Sequence, residues 1–228
     1  MPVAVLLLLA APQTWSYDVG PAPVVKASNV RGTIRVEAVG PGGVGIRAEA
    51  SGGTDDEQAR WNIETGGSQS EVSVHVCCGP CAKRGKGKGC SDAVHFDVAL
   101  RVPGDARLEL NGISSRVSVA AVAGEQRITT IAGDIEVEGS AGRLRLTTVS
   151  GKISVRPREP APSLIHSVSG AIALSLPPGA QARVTLSTVS GRLNGNPKLR
   201  SAGRSGPKIA VDTASGDVTV VDSAPPSR

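Results

Sequence analysis

The chain has 228 residues and a formal charge of +5, with only four aromatic side chains against 28 glycines and 16 prolines. So little ring area argues against aromatic-lined cofactor pockets and base-stacking surfaces, and so many helix breakers argue against long helices. The core has to be built from Val, Ile, Leu and Ala.

Residues 1–16 read as an export signal. Val3 to Ala11 is an unbroken apolar run that suits a signal-peptide core and is too short to cross a bilayer of about 30 Å. Thr14 and Ser16 put small residues at the −3 and −1 positions of a cut after Ser16. No Lys or Arg precedes the run, a departure from the usual signal, and a buried N-terminal strand is the competing reading. Residues 17–222 then read as a single domain, with a frayed tail at 223–228. No later segment is long and apolar enough to anchor in a membrane.

The first half is irregular. Asn29-Val30-Arg31-Gly32-Thr33-Ile34-Arg35-Val36 is the first copy of a unit that returns throughout the chain. Residues 44–50, 71–76 and 94–102 alternate apolar and polar as strands do. Between them, 51–60 is polar, carries Asp55-Asp56-Glu57, and reads as a loop or a single helical turn, the acidic trio being solvated rather than catalytic.

All four cysteines fall in residues 77–90, as Cys77, Cys78, Cys81 and Cys90, flanked by His75 and His95. An even count in an exported chain points first to two disulfides stapling a loop that has no core of its own. A direct Cys77–Cys78 bond is strained, so each of these two is expected to pair with one of Cys81 and Cys90. Zinc is the sharper alternative, since Cys78-x-x-Cys81 has ligand spacing and Cys90 or His95 could complete the set. A redox-active Cys78-Gly79-Pro80-Cys81 is the third reading, weakened by the lack of a helix N-terminus to favour the thiolate. Within the loop, Lys83, Arg84, Lys86 and Lys88 are spaced by glycine. They form either a solvated hairpin tip or a salt-sensitive contact with an anionic polymer. Subtracting these four cations from the +5 of the chain leaves +1.

The second half repeats. Ser115, Gly124, Gly133, Gly142 and Gly151 lie nine residues apart, and Thr130-Ile131-Ala132-Gly133-Asp134-Ile135-Glu136-Val137 matches Thr148-Val149-Ser150-Gly151-Lys152-Ile153-Ser154-Val155 position by position. The signature returns at Gly170, Gly191 and Gly216, with intervals widening from 18 to 19, 21 and 25 residues through insertions at 157–162 and 194–207. A repeat of about 20 residues marks a solenoid. An odd half-period cannot keep one strand face inward without a slip in the alternation. Taking Leu144, Leu146, Val149, Ile153 and Val155 as inward places that slip at Thr147–Thr148, where a hydroxyl can bond the turning backbone. The glycines at 32, 133, 151, 170, 191 and 216 would permit tight bending or close approach between coils. The residues after the motif glycines are Asp134, Lys152, Ala171, Arg192 and Asp217, so no acidic stripe builds up for polysaccharide cleavage. The Ser-Gly pairs lack the strand-to-helix setting of a nucleophile elbow, and His166 replaces a corner Thr in an exposed position.

The Thr-Val-Ser-Gly-x-Ile/Leu units, the segment Asn29 to Val36, and Leu176-Pro177-Pro178-Gly179-Ala180 leading into Val189-Ser190-Gly191 resemble the bacterial DUF4097 family of adhesin-like proteins over about residues 24–221. The resemblance implies a β-helix-like fold and an exported, envelope-associated life, and carries over no catalytic residues. The cysteine cluster is not part of the family pattern. The expectation is therefore an all-β protein with a single β-solenoid of short parallel coils, about 18–25 residues each. It would be a non-enzymatic adhesin or envelope-interaction protein without a cofactor, periplasmic, surface-bound or extracellular. Its partner would be an envelope polysaccharide or other anionic polymer, with no specific nucleic acid. The alternative is a zinc-binding or redox-active cysteine module on a solenoid scaffold.

Overall fold

The computed structural model describes residues 12–81, 90–195 and 206–222. Lys83, Arg84, Lys86 and Lys88, the tail at 223–228, the apolar run and most of the insertion at 194–207 lie outside the described residues.

The fold is all-β and solenoid-like, as the repeat requires. Period-2 apolar patterns separated by Gly-containing corners make strands too short to stand alone, so each buries its inner face by stacking on the next coil. The regular coils each carry two strands. They are β8 (Gln126–Ala132) with β9 (Ile135–Glu138), β10 (Leu144–Ser150) with β11 (Ile153–Arg156), and β12 (Ser163–Ser169) with β13 (Ile172–Leu176). Two more follow: β14 (Arg183–Ser190) with β15 (Leu193–Gly195), and β16 (Lys208–Ser215) with β17 (Val218–Asp222). All pair in parallel, in register, about 4.8 Å apart. The lumen is filled by Ile128, Leu144, Leu146, Ile153, Val155, Ile165, Ile172 and Leu174, each at most 3% exposed.

The coils do not stack in chain order at the carboxyl end. β12 pairs with β16 and β13 with β17, while β14 and β15 pair only with β16 and β17. The last coil in sequence is thus inserted between its two predecessors, and the coil of β14 and β15 terminates the stack.

At the other end two long strands, β2 (Val24–Val39) and β7 (Arg107–Ala120), each run through both sides of a coil and pair in parallel. β2 also pairs with β5 (Glu71–Cys78) along its first half and β6 (His95–Pro103) along its second. The stack ends there in antiparallel pairs. β3 (Gly43–Ser51) lies on β6, β1 (Gln13–Asp18) on β3, and β4 (Trp61–Gly67) on β5. The only helix among the described residues is the single turn α1 (Asp55–Gln58) in the segment read as a loop or turn. A cut after Ser16 would fall inside β1, whose Trp15 and Tyr17 pack against the core.

The slip in alternation lies later than the sequence reading put it. Leu146 and Thr148 point inward, then Val149 and Ser150 both turn outward, and Ile153 resumes the inner face. Val149 is 45% exposed, not a lumen residue. The reason is the hydroxyl: turned inward, Thr148 Oγ1 accepts from Thr130 Oγ1 at 2.9 Å and donates to the Gly133 carbonyl at 3.4 Å, so Val149 takes the outer corner.

Candidate functional site

The corner of each coil is a scaffold of two adjoining rows. Thr130, Thr148, Ser167, Thr213 and Thr188 align through the strand register. Beside them, a Cβ on Gly133 would press into the Ser115 carbonyl. On Gly151, Gly170, Gly216 and Gly191 it would meet the carbonyl oxygen of Gly133, Gly151, Gly170 and Gly216 in turn, and on Gly32 that of Phe96. These glycines therefore admit the neighbouring backbone. Asp134 Oδ1 accepts the Lys152 N–H at 2.9 Å, and Asp217 Oδ1 the Arg192 N–H at 2.8 Å, so both acids following a motif glycine hold the adjacent coil. On the outer side of the corner, Ile113, Ile131, Val149, Val168 and Val189 form an exposed apolar row.

The chemistry collects at the antiparallel end. Strand β4 pairs with β5 so that Trp61 faces Cys78 and Asn62 faces Cys77 across the ladder. Beyond β5 the chain turns at Gly79, with φ of 70°, and the Gly79 N–H donates to the Arg60 carbonyl at 2.9 Å. The Cys81 N–H donates to Glu64 Oε1 at 3.1 Å. Two disulfides close here, Cys77–Cys81 and Cys78–Cys90, with Cα separations of 5.2 and 5.9 Å. Each member of the vicinal pair thus takes one of the outer cysteines. Cys78 and Cys81, which had the spacing of a zinc or redox pair, belong to different bridges, and all four thiols are consumed. His75 Nδ1 is 2.8 Å from Ser28 Oγ on β2, and His95 starts β6. The described residues hold no cluster of three or more His, Cys, Asp or Glu arranged for a metal. The Cys78–Cys90 bridge spans 12 positions, a closure that stabilises by about 3 kcal/mol through the unfolded chain.

The acidic trio is committed to α1. Thr54 caps the turn, its N–H donating to Glu57 Oε2 at 2.8 Å while the Glu57 N–H donates to Thr54 Oγ1 at 3.3 Å. The hydrogen bond from the Thr54 backbone, followed by that from Ser91, holds the Glu57 carboxyl below its ordinary value, which ties α1 to the exit of the stapled loop.

All four aromatic residues gather at this same end. Trp15 and Tyr17 lie on β1, Trp61 on β4 and Phe96 on β6; the Tyr17 hydroxyl donates to Thr65 Oγ1 at 2.8 Å, and the Trp61 and Phe96 ring centroids are 5.5 Å apart. Trp61 and Phe96 line an open cavity of about 470 Å³. The low ring content therefore does not exclude an aromatic-lined pocket. The composition averages over the chain, whereas the rings are concentrated where the sheet splays, and their positions at 15, 17, 61 and 96 were the available signal.

The family pattern described as Toastrack DUF4097 matches residues 97–221, more than half of the chain. The chain belongs to the Toastrack DUF4097 family. The matched span covers the coils from β6 onward and omits the cysteines and α1, so the stapled loop lies outside the Toastrack pattern. Two solved structures share the fold. A putative cell adhesion protein from Clostridium sporogenes is 8% identical with a TM-score of 0.54, the match covering 93% of this chain and 100% of that one. A putative adhesin from Bacteroides fragilis is 12% identical with a TM-score of 0.50, covering 94% and 98%. Among curated proteins, none matches the chain.

Proposed function

We propose that this Toastrack protein is an exported, non-enzymatic adhesion or cell-envelope interaction protein, and that the loop between β5 and β6 is its contact element for an anionic polymer. One observation carries the reading. Two disulfides converge at the mouth of a loop whose residues 82–89 contain four cations and no acid, on a solenoid that is otherwise nearly neutral. Paired cysteines belong to oxidising compartments, which supports export. The names given to the two similar structures, an adhesion protein and an adhesin, support the adhesion class. The non-enzymatic reading is supported by the acids themselves: Glu57 caps α1, and Asp134 and Asp217 hold neighbouring coils. No helix among the described residues is long and apolar enough to cross a membrane. Fixed at both ends, the basic loop would meet phosphate, carboxylate or sulfate groups without ordering a long free chain.

The test replaces Lys83, Arg84, Lys86 and Lys88 together with Gln and measures binding to purified lipopolysaccharide across a salt series. The expected result is wild-type binding that weakens steeply with salt and a variant about tenfold weaker at low salt. Unchanged, salt-independent binding in the variant removes the loop from the account.

A further inference from the structure

We infer that the aromatic pocket at the antiparallel end of the stack is a binding site for a neutral saccharide. It goes beyond the loop reading, shares none of its residues and takes a ligand of different charge.

Its floor is apolar, with Trp61 and Phe96 together and Phe96 buried beneath. Its polar lining comes from Gln13 on β1 and from Asp55 and Gln58 on α1, while Asn62, whose side chain alternates to the outer face of β4, borders it through the strand. The volume, about 470 Å³, falls in the usual range for small-ligand sites, a few hundred to about 1,000 Å³. Part of the lining is fixed in advance, because Gln58 Nε2 donates to the Gly52 carbonyl at 2.8 Å, and α1, which carries Asp55 and Gln58, is locked by the Thr54–Glu57 capping box. The indole N–H of Trp61 is buried and has no acceptor among the described residues. Buried groups left unsatisfied are uncommon enough to call for an explanation, and a small ring rotation onto a ligand hydroxyl would supply one.

The side chains select the ligand class. Ring faces suit the C–H face of a sugar, and amides can both donate to and accept from vicinal hydroxyls. A purely apolar ligand would desolvate the amides and the carboxylate without return. An anion would meet Asp55 with no Lys, Arg or His in the lining.

The test uses the full chain with its disulfides intact on a printed array of neutral and anionic glycans at low and high salt, followed by solution titration of the strongest neutral glycan through tryptophan fluorescence. The expected result is salt-independent binding of a neutral glycan. It should be lost by about tenfold or more in Trp61→Ala and in Gln13→Leu, the latter an exposed lining position on β1 opposite Ala48, and kept when Lys83, Arg84, Lys86 and Lys88 are replaced with Gln. Failure to bind any neutral glycan, binding that survives both pocket variants, or binding lost only in the loop variant would overturn the inference; the last outcome leaves the loop reading standing alone.

Discussion

Thr148 and Thr213 occupy equivalent corners with different hydrogen bonding. Thr148 Oγ1 is bonded to Thr130 and to the Gly133 carbonyl, whereas Thr213 Oγ1 and Ser167 Oγ are buried with no partner among the described residues. Removing a made bond from a buried site costs about 1 kcal/mol, and removing an unmade one is neutral or favourable. Thr148→Val should therefore lower the urea midpoint while Thr213→Val leaves it unchanged or raises it. Glu57 makes a second prediction at this scale. Its folded value lies below 4.5, so the support it gives α1 is present above the unfolded value and lost as pH falls through the lowered one. The Thr54 amide resonance should titrate with a midpoint below 4.5, and Glu57→Gln should abolish that titration. The need for Ser or Thr at the corner was legible in the sequence. Which hydroxyl finds a partner was not, because that depends on whether the next coil presents a hydroxyl and a carbonyl at bonding distance.

Each coil from β8 onward contributes one glycine to the corner, where the β7 coil has Ser115, and the neighbouring carbonyl decides what that glycine tolerates. Gly170→Ala would drive a methyl into the Gly151 carbonyl, a backbone atom that cannot swing aside, whereas Gly40→Ala meets nothing within 4 Å. Overpacking of this kind costs about 1–3 kcal/mol, so Gly170→Ala should show a clear fall in thermal midpoint and Gly40→Ala almost none. The strands, their parallel register and the glycine row were legible in the repeat itself. Their order was not. The units at Gly170, Gly191 and Gly216 present nearly the same corner, so nothing in the motif says that the coil of β16 and β17 lies beside β12 and β13. The displaced slip at Val149 has a related cause, since alternation alone cannot tell an inward valine from an inward threonine one residue earlier.

Across the whole molecule, the coils from β8 onward form an aliphatic scaffold with a basic excess, 13 Lys and Arg against 7 Asp and Glu in residues 126–228, and the features proposed to bind collect at the antiparallel end. The disulfides, the mouth of the basic loop, α1 and the aromatic cavity share β4, with Arg60 accepting from Gly79 on one side and Trp61 lining the cavity on the other. Composition pointed to the scaffold and hid this end, because four rings and four loop cations vanish into averages over 228 residues. The most direct measurement of the division is amide hydrogen exchange on the disulfide-intact chain with and without purified lipopolysaccharide. The account predicts new protection in peptides covering 52–95 and none in the coils covering 126–176. Protection spread along the coils, with 52–95 unchanged, would contradict it.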